Sequence, residues 1–198
     1  RRVFNHIAPA IDTRCAKLAQ VRPALSVRAA TGEESDLQTA KISTNVLRSV
    51  CEECAFDDVI TRATLWSETC GTAFYKILWD VRGSGAEGKV RIAAVSPFEV
   101  YPEDLSVEKI GEQGSIMHVK AIPVTEIYER YGVQVAGQDV NEFSLAPQMS
   151  ASNFAGGSGR FMGGVRKNCA LVYEYYEKSS SAFPNGRLII AAGDRLVY

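Results

Sequence analysis

The sequence predicts an α+β fold in which N-terminal helices pack on a mainly antiparallel sheet or a small β-barrel. Up to Gly71, apolar residues recur at spacings of three and four, which is the period of a helix face. Beyond Gly71 the period shortens to that of strands, and two turns, Asn185-Gly186 and Gly193-Asp194, indicate hairpins. Helices followed by a run of strands are typical of the α+β class.

We expect a single domain with four segments. They are a helical segment (residues 1–71), strands plus a short helix (72–132), a flexible Gly/Ser-rich loop (133–167) and C-terminal strands that complete the sheet (168–198). Both ends of the sequence look cut, because it begins without Met on Arg1-Arg2 and ends on an apolar strand whose open edge would invite aggregation. We therefore expect a piece of a longer protein.

The helical segment contains one helix and a longer helical stretch after it. Four residues within 4–20 fall on one face of the first helix: Ile7, Ile11, Cys15 and Leu18. Asn5 is its predicted N-cap, and Pro23 ends it. The second stretch begins at Ser35 or Asp36, and the acids near residue 57 favour a break into two helices. Gly71 is its predicted end.

The elements after Gly71 are short. Strands are predicted over residues 72–81, 89–95, 115–122, 172–177, 188–191 and 195–198. The segment Ser96–Asp104 contains two prolines and is expected to form an extended edge or a turn. Pro123 is predicted to start a short helix that ends before Gly132.

Composition excludes several classes of protein. The formal net charge is −1 and the basic residues are scattered, whereas a dedicated nucleic-acid-binding surface needs a basic stripe. No apolar run approaches the ~18 residues of a membrane span. Hydrophobic residues make up 46% of the chain, which is too much for a disordered protein. The five cysteines are an odd number and indicate free thiols in a reducing compartment.

Two glycine-rich segments match nucleotide-binding loops only superficially. Gly83–Lys89 has the G-x-x-x-x-G-K spacing of a P-loop, but Val90 replaces the Ser or Thr that holds magnesium. A strand pattern also follows it, where a phosphate site needs a helix N-terminus. Gly156–Gly164 has no preceding strand and the wrong spacing for a dinucleotide fingerprint. The favoured interpretations are a hairpin loop and a surface loop.

The positions of the cysteines give little support for a zinc site or a catalytic thiol. Cys51 and Cys54 form a C-x-x-C without the second ligand pair of a structural zinc site, and core packing on a helix face is favoured. A thiol enzyme would pair Cys70 or Cys169 with His118. Cys70 lies at a helix C-terminus, which does not stabilise a thiolate, and His118 lies mid-strand among apolar neighbours. Structural roles are therefore favoured for both residues.

Five acidic residues in the strand segments offer no obvious pair for acid–base catalysis. They are Glu99, Glu103, Asp104, Glu174 and Glu177. Nothing in their spacing distinguishes two of them, and a solvated strand face accounts for them. We therefore predict no catalytic residue, no cofactor site and no metal site in this chain.

Four segments, in this order, carry a resemblance to a known family. They are NHIAPAIDTRCAKLAQVRP (residues 5–23), LWSETCGTAFYKILWD (65–80), VSPFEVYPED (95–104) and the strand pair from Val172 to Tyr198 with its YYE, PNGR and AGD motifs. Together they resemble the wing region of double-stranded DNA bacteriophage portal proteins, which are head–tail connectors. Their order and spacing match as well, although the loop around residues 150–164 does not match the family pattern.

The resemblance implies a structural, non-enzymatic subunit of a phage or prophage portal. Such a portal is a ring, dodecameric in the family, that serves DNA packaging, ejection and head–tail connection. The implied partners are other copies of the chain, capsid and scaffold proteins, the packaging terminase and a tail adaptor. Double-stranded DNA would pass through the channel of the full-length parent with little direct contact from this near-neutral piece, and no membrane is implied. The implied location is the capsid vertex of the virion, and the host cytoplasm during assembly.

Tyr173, Tyr175 and Tyr176 are the candidate subunit interface, because a closed ring needs heterologous contacts and tyrosine is enriched at interfaces. The alternative is that alternate tyrosines fill the core face of the sheet. Two other functions stay open: a host-encoded α+β protein-interaction module without catalytic activity, and the thiol enzyme described above.

Overall fold

A computed structural model describes residues 4–21, 23, 25–80, 88–144 and 162–198. These residues group into two compact units, one up to Val95 and one from Ser96 onward. Helices and antiparallel strands occur in both, so the predicted α+β class is confirmed. The boundary at Val95 is not among those expected at residues 71, 132 and 167, and the division into four segments of one domain stays a prediction.

Three helices and a hairpin form the first unit. They are α1 (Ile7–Ala19), α2 (Glu34–Glu53), α3 (Phe56–Cys70), β1 (Phe74–Asp80) and β2 (Lys89–Val95). The side chain of Asn5 caps α1 as predicted, since its Oδ1 accepts hydrogen bonds from the backbone N–H groups of Ile7 (3.0 Å) and Ala8 (3.2 Å). The expected break between α2 and α3 is at Ala55, which has a φ of 47°.

Helix α3 provides most of the buried side chains of the first unit. Val59, Ala63 and Trp66 lie at the predicted spacing of four and three and are buried, and α3 packs on β2. Gly71 ends the helix with a φ of 81°, and its N–H donates to the Ser67 carbonyl at 2.8 Å. Helix α1 packs on α3 but contains no buried residue.

A six-stranded antiparallel sheet and one helix form the second unit. The elements are β3 (Val100–Pro102), β4 (Ser115–Pro123), α4 (Val124–Tyr131), β5 (Gln138–Ser144), β6 (Met162–Glu177), β7 (Arg187–Ala192) and β8 (Arg195–Leu196), with short 3-10 turns at Pro97–Glu99 and Ile110–Glu112. The strand order is β3-β4-β6-β7-β8, and β5 also pairs with β6.

Neither sheet closes on itself among the described strands, so the small-barrel alternative is wrong. A barrel needs its first and last strands to pair. The six-stranded sheet instead ends on β3 and β8, which are three and two residues long and do not pair with each other. Edge strands this short present few unpaired backbone groups.

Two stretches of the loop expected over residues 133–167 are strands instead. Gln138–Ser144 forms β5, and β6 already begins at Met162. The composition of these segments does not predict strands. Most residues of β5 are polar and β6 contains Gly163-Gly164, and both features disfavour strands. Residues 133–137 are neither helix nor strand, as expected, and residues 145–161 lie outside the described residues.

The hydrophobic cluster of the second unit lies where α4 crosses one face of the sheet. Its buried members are Ile122, Ile127, Val135, Ala170, Val172 and Ala192. Ile127 is the helix residue at its centre and is completely buried. Pro123 ends β4 and directly precedes α4, and Gly132 with a φ of 68° ends the helix as predicted. This cluster defines the core face of the sheet.

Candidate functional site

The three candidate tyrosines lie on β6 but do not share one surface. Successive side chains of a strand point to opposite faces, so Tyr173 and Tyr175 lie on one face of the sheet and Tyr176 on the other. In this part of β6, β4 is the neighbour on one side and β7 on the other. The predicted interface therefore separates into a pair and a single residue.

Tyr173 and Tyr175 lie on the face opposite the hydrophobic cluster. Ala170 and Val172, which belong to the cluster and are 1% exposed, occupy the alternate positions of β6. The cross-strand neighbours of the tyrosine pair are apolar: Val119 and Ala191 beside Tyr173, and Met117 and Ile189 beside Tyr175. We call these six residues the tyrosine face. Neither tyrosine belongs to the hydrophobic cluster, and both are half-buried. The choice between an interface role and a packing role for this pair stays a prediction.

Tyr176 lies on the core face and has a different environment. Its hydroxyl donates a hydrogen bond to Oε2 of Glu174 at 2.8 Å. Burial raises the pKa of Tyr176 strongly, and the hydrogen bond to Glu174 raises it further. This tyrosine is part of a polar cluster within the sheet, and we do not count it in the tyrosine face.

Three charged or titratable side chains meet beside Tyr176. His118 Nδ1 lies 3.2 Å from Oε2 of Glu174, and His118 Nε2 lies 3.4 Å from Oε2 of Glu99. Their side chains are 10% (His118), 18% (Glu174) and 21% (Glu99) exposed. We call these three residues the polar triad. It links the turn before β3 to β4 and β6, because His118 and Glu174 are directly paired across the strands.

The expectation of a solvated strand face for the acids is wrong for Glu99 and Glu174. Both carboxylates are mostly buried and contact the imidazole of His118. The sequence contains no indication of this, since Glu174 is 56 positions from His118 and only the strand register brings them together. Glu177 pairs with Arg187 across β6 and β7, and Glu103 accepts a hydrogen bond from the Ser115 hydroxyl at 3.0 Å.

The cysteine pairings expected of a thiol enzyme do not fit the second unit. Cys169 is opposite Pro123, five register positions from the His118–Glu174 pair. That separation is about 17 Å at ~3.4 Å per residue, so Cys169 cannot contact His118. Cys70 is an exposed residue of the first unit, at the C-terminal end of α3.

Cys54 and the described parts of the two glycine-rich segments lie in ordinary elements of the fold. Cys54 donates from Sγ to the Val90 carbonyl at 3.1 Å, which supports packing for the C-x-x-C segment. Of the P-loop-like segment, residues 83–87 lie outside the described residues, and Lys89 begins a strand where a phosphate site needs a helix. Of Gly156–Gly164, only the residues from Met162 on are described, and they begin β6.

The described residues offer neither a metal-binding cluster nor a membrane-spanning helix. They contain no group of three or more His, Cys, Asp or Glu side chains placed to hold a metal ion. None of the helices in this part of the chain is long and apolar enough to cross a membrane.

Comparison with known proteins identifies one similarity. The model of a family described as "Phage P22-like portal protein" matches residues 1–184. This range includes the first unit, the second unit as far as the turn before β7, four of the six residues of the tyrosine face and the whole polar triad. No curated protein matches the chain.

Proposed function

Because the chain belongs to the phage P22-like portal protein family, we propose that its tyrosine face is one side of the lateral contact between neighbouring subunits of a portal ring. The chain is a structural portal subunit, and the family forms ring-shaped oligomers associated with the capsid. No observation favours the host-encoded interaction module that was the alternative.

The position of Tyr173 and Tyr175 is the observation that supports this role. They lie side by side on an apolar sheet face that does not include the hydrophobic cluster, so their rings are not needed to fill that core. Tyrosine and methionine are enriched at protein interfaces, and the tyrosine face combines both with Val119 and Ile189. A closed ring needs two different surfaces on each subunit, and the tyrosine face is a candidate for one of them.

We extend the proposal to the assembly that the family implies. The full-length parent would form a dodecameric ring at one capsid vertex, assembled in the host cytoplasm. Its partners would be capsid and scaffold proteins, the packaging terminase and a tail adaptor. Double-stranded DNA would pass through the channel of the ring, and a net charge of −1 supports little direct DNA contact by this chain.

Replacing Tyr175 by alanine in the full-length parent tests the lateral contact. We expect Tyr175→Ala to reduce ring formation at least tenfold, because truncating an aromatic residue at an interface centre costs about 2 kcal/mol or more. Light scattering and negative-stain imaging of the same sample measure the assembly. A thermal melt of the variant shows whether the subunit still folds.

Tyr128→Ala is the matched control. Tyr128 is an exposed residue of α4, outside the tyrosine face, and its loss should leave rings intact. A Tyr175→Ala protein that folds and still forms rings as well as the parent would contradict the proposed contact.

A further inference from the structure

The hairpin of the first unit exposes an unusual row of large side chains. Tyr75, Ile77 and Trp79 alternate along β1 and therefore share one face. They are 52%, 69% and 63% exposed, respectively. We call these three residues the hairpin strip.

The hairpin strip lies on the uncharged face of the hairpin. The residues directly opposite it on β2 are Ala94, Ile92 and Val90, so six neighbouring positions contain no charged residue. The other face contains charged residues instead, and there Arg91 and Asp80 form an ion pair at 3.2 Å. In a soluble protein, the charged face of a hairpin is expected to contact water, and its apolar face is expected to pack against another element or a partner.

Trp79 lies against the backbone of Gly88 although it is mostly exposed. Gly88 has a φ of 63°, and a Cβ at this position would lie 2.7 Å from Nε1 and 2.9 Å from Cε2 of Trp79. The indole therefore lies directly against the backbone of Gly88, where only glycine leaves room for it. Tryptophan is enriched among the hot-spot residues of protein interfaces.

The backbone of β1 is also open to a partner. The hairpin has only two strands, so the outer edge of β1 has no strand beside it among the described residues. A seven-residue edge without proline or glycine is the kind that natural proteins cover. The three side chains expose on the order of 400 Å², about half of what one partner buries in a standard interface.

We propose that the hairpin strip docks on a second copy of this chain, on the tyrosine face of the next subunit. This inference rests on the proposed function, because only ring assembly supplies each subunit with a neighbour. A strip that met its own copy by a two-fold axis would close a dimer, whereas a ring requires it to meet a different surface. The tyrosine face has matching chemistry, since its six residues are uncharged.

Photo-cross-linking of the full-length parent tests the contact. A photo-reactive amino acid replaces Ile77, whose exposure makes the change tolerable, and illuminated rings are analysed by gel and by mass spectrometry. We expect cross-links between subunits that map to β4, β6 or β7 of the neighbour. The matched control places the same amino acid at Ala93, which is exposed on the opposite face of the hairpin and should give no such product.

A charge substitution gives an independent measurement. Ile77→Lys should shift at least nine-tenths of the full-length parent from rings to smaller species in sedimentation, with an unchanged thermal melt. Ala93→Lys should leave the rings intact.

The outcomes separate the two proposals. If the unaltered parent forms no rings, the proposed function fails and the inference fails with it. If rings form and position 77 cross-links only within its own subunit, to a capsid or scaffold protein, to another part of the neighbour, or not at all, the inference alone is overturned. Intact rings in Ile77→Lys would overturn it as well.

Discussion

His118 lies between two carboxylates on the core face of the six-stranded sheet. A neutral imidazole has one N–H donor, so it can donate to Glu99 or to Glu174 but not to both, whereas the protonated ring can donate to both. The two contacts of 3.2 and 3.4 Å are therefore both hydrogen bonds only when the ring is charged. In that state the polar triad joins three segments of the second unit by charge-assisted hydrogen bonds.

Tyr176 makes the same cluster sensitive to high pH. Its pKa in the folded chain lies above its ordinary value of 10.0, mainly because the hydroxyl is buried and also because it donates to Glu174. The neutral phenol is thus the stable form in the fold. Its contribution to stability is complete below about pH 10 and is lost as the pH rises towards the folded-state pKa.

We predict that Tyr176→Phe lowers the free energy of unfolding by about 1–2 kcal/mol at neutral pH, through loss of a hydrogen bond to a carboxylate. The same variant should lose less stability than the parent between pH 9 and 11. Urea denaturation at a series of pH values measures both effects. Tyr128→Phe, which alters an exposed ring, should behave like the parent, and an equally steep alkaline loss in Tyr176→Phe would contradict the assignment.

At the scale of elements, two glycine turns position the last strands of the sheet. Gly186, between β6 and β7, has a φ of 69°, and Gly193, between β7 and β8, has a φ of 59°. Both occupy the left-handed region that other L-residues adopt at a cost. They differ in their surroundings, because a Cβ on Gly186 would lie 2.5 Å from the Glu177 carbonyl oxygen, whereas one on Gly193 would meet open space.

This difference gives a matched pair of substitutions. We predict that Gly193→Ala lowers the free energy of unfolding by about 1 kcal/mol, from backbone strain alone. Gly186→Ala should lower it by about 2–4 kcal/mol, because steric overlap with the backbone is added. Chemical denaturation of both variants measures the difference. Equal losses would mean that the turn relaxes around the added methyl group.

The helices and the hairpin turns of this fold are predictable from local sequence. The apolar spacing of α3, the cap at Asn5 and the stops at Gly71 and Gly132 all depend on residues within a few positions of each other. Strand β5 and the first half of β6 are not predictable in this way. Their pairing with each other stabilises them in spite of unfavourable composition, and pairing is a tertiary property.

At the scale of the whole chain, the candidate site depends on which face of the sheet each side chain occupies. Sequence alone does not show which of the two faces carries the core. The run from Tyr173 to Tyr176 suggests one cluster, but the core lies on the side of Val172, so Tyr176 is separated from the other two. The hairpin strip was hidden for a similar reason. The sequence predicts an ordinary strand here, and only the exposed fractions distinguish Ile77 and its neighbours from core residues.

The two proposed surfaces lead to a prediction for mixtures of the full-length parent. A Tyr175→Ala subunit retains its hairpin strip, and an Ile77→Lys subunit retains its tyrosine face. Each variant alone should stay a single chain, whereas the mixture should form pairs that cannot extend, because the remaining surfaces of the pair are both altered. Mass photometry measures the species. Single chains in the mixture would show that the two surfaces are not partners.

The pairing of β4 with β6 also sets the order in which the chain can fold. His118 and Glu174 are 56 positions apart, and this pairing is required before the hydrophobic cluster under α4 is complete. During synthesis at ~5–20 residues per second, β4 leaves the ribosome about 3–11 s before its partner strand exists. For that interval its apolar side chains and one whole backbone edge are open, although the three N-terminal helices have already been made. An open strand edge of this kind is prone to pairing with another unfinished copy, and such surfaces are the ones that chaperones cover in general.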